Sequence, residues 1–141
     1  MEFGWSAEQE ELRRLAREFG EKEIAPHVAE YDKIERFPKE IVQEAGKLGF
    51  AGGIVPTEYG GAGLDYVTYT ALMEEISRHC HIVGCALSFP SGLVGNSILR
   101  YGSEDQKERY LRPLAQAEIF GGAGVTEARS GTDVSDMDTS C

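Results

Sequence analysis

The sequence predicts an all-α fold, a bundle of about five or six helices that closes on one orphan strand. Three observations carry that prediction. Apolar residues recur at i, i+3, i+4 and i+7 in one segment after another, which is the spacing of a helix with one buried face. Two S-x-x-Q motifs, SAEQ at 6–9 and SEDQ at 103–106, have the form of capping boxes that open helices. Residues with β character set among glycines are confined to the end of the chain, in IFGGAGV at 119–125, followed by a polar loop.

Taken in order, Ser6 and Gln9 cap a helix starting at Ala7, with Leu12, Leu15, Ala16 and Phe19 as its apolar stripe. Glu10, Arg13, Arg14 and Arg17 fall on its wet side, and Pro26 kinks or stops it. Pro38 suits the first turn of a second helix, built on Ile41, Val42, Ala45 and Leu48 and closed by Gly49 in a left-handed cap. Residues 51–65, AGGIVPTEYGGAGLD, hold too many glycines for a helix. The stretch lacks GxGxxG and any Lys-Ser/Thr ending, so it reads as a tight turn linking helices rather than a phosphate cradle. A helix follows through Tyr69, Leu72, Met73 and Ile76, then a turn at 81–84, then an almost wholly apolar helix distorted by Pro90 and Gly92. That distortion serves either a close backbone approach or a slender apolar pocket. After the second capping box, Tyr110, Leu111 and Leu114 mark the last helix. The strand that ends the pattern cannot satisfy its own backbone, so it must pair with something beyond these residues.

Composition narrows the function classes. A chain of 141 residues with 41% hydrophobic and 27% charged residues is expected to form one soluble domain, burying roughly two-thirds of its unfolded surface. The net charge of −10, with basic residues scattered, argues against a nucleic-acid partner. No apolar run is expected to reach the roughly 20 residues of a membrane span, and MEFGWSAEQEE lacks the marks of a secretion signal. Cys80, Cys85 and Cys141 suit reduced thiols. His79 and His81 lie beside the first two, but only His81 and Cys85 would share a helical face. The expectation there is a turn with small buried thiols and no metal.

The segments EKEIAPHVAEYD, FPKEIVQEAGKLGFAGGIVPTEYGGAGLDY and GNSILRYGSEDQKERYLRPLAQAEIFGGAGVTEARSGTD, in that order and spacing, resemble the acyl-CoA dehydrogenase family over essentially the whole chain. The resemblance implies an N-terminal helical domain over 1–117. At 118–141 it implies the first strand and flavin loop of a middle β-barrel domain, of which the rest is absent, as is the C-terminal helical domain. Family members use FAD to oxidise acyl-CoA to the trans-2,3-enoyl-CoA. A glutamate takes the α-proton, the β-hydride passes to flavin, and an electron-transferring flavoprotein collects the electrons.

The family's flavin loop falls on Thr126 to Asp133. By that match Ala123, Val125, Thr126, Gly131 and Thr132 bind the cofactor, with Val125 and Thr126 at the pyrimidine edge and Thr132 at phosphate or CoA. Thr132 stands where serine is usual, Ala128 where proline is, Ser130 where alanine is, and Ala123 where an aromatic residue is common. Ser88, Phe89 and Pro90 match the distorted helix that lines the acyl pocket, and the bulk of Phe89 and Pro90 points to a short or cyclic acyl group. No catalytic residue is expected in this chain, because the family's glutamate comes mostly from the C-terminal domain. The resemblance further implies a homodimer or homotetramer, in the cytoplasm or, in a eukaryote, the mitochondrial matrix. Three other readings stay open: an acyl-CoA oxidase relative, a non-catalytic helical module completed by a partner chain, and a small binder of acyl-CoA without redox chemistry.

Overall fold

The structure, a computed structural model, describes residues 4–140. Cys141, weighed above as a thiol, lies outside them. Ser6 and Gln9 form both halves of the capping box, with Gln9 N–H donating to Ser6 Oγ at 3.2 Å and Ser6 N–H to Gln9 Oε1 at 3.0 Å. Helix α1, Ala7–Phe19, follows and runs on through a π-turn, Gly20–Ile24, so the helical path ends just before Pro26 rather than being kinked by it. At the start of the π-turn Gly20 packs so closely on the His79 ring that a Cβ there would collide with it. Helix α2, Val28–Lys33, is a short connector. Pro38 stands at the N-cap of α3, Lys39–Lys47, and buries Ile41, Val42 and Ala45, while Gly49 takes φ +81 as the cap requires.

Residues 51–65 are turns around one 3-10 turn, Thr57–Tyr59, with Gly60 at φ +81 and Gly63 at φ +63. Asp65 ends them by capping α4, Tyr66–Ser77, accepting from the N–H groups of Val67 and Thr68. One extended residue, Cys80 (φ −157, ψ 113), suffices to turn the chain into α5, His81–Ser91. The expected turn at 81–84 is therefore already helix. Gly92, with φ −87 and ψ −103, breaks the rod, which resumes as α6, Leu93–Tyr101. The SEDQ box forms as the spacing predicts, with Gln106 N–H on Ser103 Oγ. It opens α7, Glu104–Gln106, which passes through a π-turn, Lys107–Leu111, into α8, Arg112–Ala115. Counting continuous paths, the described residues form six helical rods.

The main core gathers Ala16, Phe19 and Ile24 from the first rod, Val42 and Ala45 from α3, Leu72 and Ile76 from α4, and Val83 and Leu87 from α5. A satellite joins Val55 and Tyr59 to Leu111 and Ala115. Together they set α5 in the middle of the bundle, packed on α3 and α4 and followed by α6.

Four expectations need correction. Leu15 is 44% exposed, because the apolar face of α1 that enters the core runs through Leu12, Ala16 and Phe19. Arg13 and Arg17 are not simply on the wet side: both reach Glu75 of α4, whose side chain is 1% exposed. The α5–α6 rod, His81–Tyr101, is 21 residues and holds an 18-residue window of mean hydropathy 1.5, long and apolar enough by length and composition alone to cross a membrane. Its glycines, serines and asparagine disguise a run free of charge up to Arg100. Finally, no strand forms among the described residues, and 118–125 are without regular structure. A ladder needs a neighbouring strand, and those residues have none.

Candidate functional site

The site is built on the α5 break. Pro90 has no N–H to continue the helical ladder, and Gly92 N–H closes the last turn on Ser88 O at 2.6 Å. Side chains from elsewhere brace the break. Tyr69 Oη donates to Leu87 O at 3.2 Å, and buried Ser91 donates from Oγ to Ala51 O at 2.7 Å while accepting from Ile54 N–H at 3.3 Å. Burial pushes the Tyr69 phenol up to about 12, so it stays a donor. Across the break, a Cβ at Gly95 would run into the Pro90 carbonyl, so the two half-rods touch backbone to backbone.

The outer face of α5 forms one wall of an apolar groove of about 230 Å³, lined by Ile82, Cys85, Ala86 and Phe89 and faced by Phe37, Phe120 and Gly121. The Phe37 and Phe120 rings meet edge to face, 5.5 Å apart at 88°. Of the substrate residues matched above, Phe89 lines this groove. Pro90 is buried in the bundle, and Ser88 turns its hydroxyl back to Cys85 O at 2.7 Å. Cys85 is exposed on the groove and Cys80 half-buried, so the expected pair of buried thiols is not formed. A larger cavity of about 630 Å³ adjoins, between α2 and the α4–α5 turn, and shares Phe37 and Ile82 with the groove.

Ile82, Cys85, Ala86 and Phe89 stand at i, i+3, i+4 and i+7. That stripe was legible in the sequence once α5 is started at His81. A turn drawn over 81–84 hides it. Phe37 and Phe120 carried no such signal, since they meet across 83 residues, from Phe37 to Phe120.

Beyond Gly121 the chain enters the loop that holds the matched cofactor residues. Ala123, Val125, Thr126, Gly131 and Thr132 are all exposed. Thr126 and Gly131 are adjacent, with 3.6 Å between Thr126 Cγ2 and the position a Gly131 Cβ would take. The loop is held by its acids. Glu127 accepts from the N–H groups of Asp138 (2.6 Å) and Thr139 (3.0 Å), and Asp133 from the Ser135 N–H (3.0 Å) and hydroxyl (2.6 Å). Those donors hold both carboxyls below their usual range. Glu127 N–H also donates to Ser130 O at 2.7 Å, so the turn closes without a proline at 128. Among the described residues, the hydroxyls of Thr126 and Thr132 and the N–H of Val125 make no hydrogen bond.

Fold and site together define a helical domain that presents a slender apolar groove beside a polar, glycine-containing loop. Residues 6–118 match the family described as acyl-CoA dehydrogenase, N-terminal domain, and the chain belongs to the acyl-CoA dehydrogenase family. It is 44% identical over 133 residues to the short-chain specific acyl-CoA dehydrogenase of Clostridium acetobutylicum, covering 94% of this chain and 35% of that one. Its fold is similar to butyryl-CoA dehydrogenase from Megasphaera elsdenii, with TM-score 0.86, 36% identity and coverage of 96% and 36%. It is also similar to a glutaryl-coenzyme A dehydrogenase in complex with glutaryl-CoA, with TM-score 0.91, 37% identity and coverage of 97% and 35%. The chain thus spans about a third of the length of these relatives.

Proposed function

We propose that this chain is the N-terminal portion of an FAD-dependent enzyme that oxidises an acyl-CoA to the trans-2,3-enoyl-CoA. The observation that carries it is the groove on α5 together with the loop at 126–132, one apolar and slender, the other polar, with the Thr126 and Thr132 hydroxyls unbonded among the described residues. Residues 1–117 are the helical domain, and 118–141 begin the flavin-bearing one.

The loop residues fit a flavin. Among the described residues Val125 N–H and the Thr126 hydroxyl have no partner to give up, and Gly131 adds no side chain where the cofactor would approach. Thr132 offers a hydroxyl for phosphate or the CoA portion. FAD, when bound, supplies the hydride acceptor. The chain's own work is to hold the acyl group along α5, with Phe89 against it, and to keep water from it with an apolar lining. In that oxidation the α-proton would pass to a base that none of these 141 residues is assigned, and loss of the β-hydride to the bound cofactor would leave the Cα–Cβ double bond. An electron-transferring flavoprotein collects the electrons, and the cytoplasm or the mitochondrial matrix is the compartment that suits them.

A chimera tests this. Residues 4–140 replace the matching segment of the Clostridium acetobutylicum relative, and butyryl-CoA is added without oxygen. The flavin absorption band bleaches if the reading holds. A chimera that retains flavin yet stays unbleached by every acyl-CoA overturns it.

A further inference from the structure

We infer that Phe37, braced by Phe120, is the partition that sets acyl-chain length, closing the α5 groove to all but short acyl groups. The inference rests on the reading of that groove as the acyl site. Three observations on separate elements lead to it. The groove, about 230 Å³, is lined by apolar side chains of α5 and walled opposite by Phe37 and Phe120. Phe37 and Ile82 line both this groove and the cavity of about 630 Å³ behind it. The two spaces are therefore neighbours separated by a side-chain wall.

The third observation concerns how the wall is held. Phe37 is 45% exposed and sits in the link before α3, where little else would fix its ring. The edge of Phe120, 41% exposed, meets it at 5.5 Å and 88°. Phe120 lies six positions before Thr126, so the chain keeps it within about 20 Å of the cofactor loop. The wall is thereby tied to the segment that leads to the cofactor loop as well as to the bundle. Truncating Phe37 would join the groove to the larger cavity and give a longer chain somewhere to go. Truncating Phe120 would free the Phe37 ring to swing, a smaller change in the same direction.

The test uses the chimera described above, with association constants for butyryl-CoA and octanoyl-CoA by calorimetry and kcat/KM for both. Phe37→Ala should raise the octanoyl-to-butyryl ratio in both quantities by at least about tenfold, since even one methylene in an apolar pocket is worth that much. Phe120→Ala should raise it less, and Phe37→Tyr should restore the original ratio. A role confined to packing would lower stability and weaken both substrates alike. An unchanged ratio in Phe37→Ala overturns the inference, and so does a preference of the unsubstituted chimera for octanoyl-CoA or 3-phenylpropionyl-CoA. Should Phe37→Ala fail to fold, Phe37→Leu carries the same prediction at reduced size. A chimera that oxidises butyryl-CoA while its variants keep the ratio separates failure of the wall from failure of the function.

Discussion

Glu75 is a buried carboxylate of α4 that ties α4 to α1 through Arg13 and Arg17. Its carboxylate, 1% exposed, receives Arg13 at 2.6 Å and Arg17 at 2.9 Å, with Arg78 at 3.7 Å. The Arg17 guanidinium first, and Arg13 with it, hold the carboxyl below its ordinary range, although burial alone would push it up. Removing one member of a buried pair costs about 3–5 kcal/mol. Arg17 is 44% exposed, which puts the loss for Glu75→Gln at the low end, about 3 kcal/mol in a urea titration. The pH dependence has a definite sign. A carboxyl depressed in the fold stabilises above its unfolded value, near 4.3, and that stability drains away as pH falls through the lower folded value. Stability measured from pH 6 to pH 3 should therefore fall in the parent, and fall less steeply in Glu75→Gln. The sequence pattern concealed this cluster because glutamate and arginine are ordinarily exposed, so a helical wheel assigns them to solvent.

At the scale of elements, the α5–α6 break is where local rule and tertiary need diverge. Pro90 and Gly92 are poor helix residues, and both lie in the 21-residue apolar rod of α5 and α6. Gly95 allows the half-rods to meet at the Pro90 carbonyl. Gly95→Ala gains about 1 kcal/mol of helix propensity, but overlap with backbone costs about 1–3 kcal/mol. The expected net effect is a loss of about 1 kcal/mol by thermal unfolding. Helix starts were the easiest features to read from sequence, since Ser6, Gln9, Ser103 and Gln106 cap with their own side chains. The groove was only half legible. Its α5 stripe has a period, but the rings opposite come from a link and an irregular segment, where no period exists to be read. The strand expected at 119–125 shows the same limit from the other side. β propensity there is real, but propensity without a partner makes no ladder.

At the scale of the molecule, the groove and the loop are the two halves of the proposed site that this chain supplies, and the loop is exposed on every matched residue. A flavin resting there would have contacts on one side only, too few to offset the freedom it loses on binding. The purified chain, incubated with excess FAD and desalted, should therefore show no flavin bands, whereas the chimera should retain them. Flavin held at one per chain would mean that the loop binds without the segments that flank it in the relatives.

The Arg13–Glu75 contact also bears on synthesis. Sixty-two positions separate the two residues, and a helix of 13 residues such as α1 is marginal by itself in water. At translation rates of roughly 5–20 residues per second, the nascent first helix waits about 3–12 s before its partner is even made. During that interval Phe19 and Ala16 have no α4 to rest on, so the apolar stripe of the nascent α1 stays exposed until α4 is made.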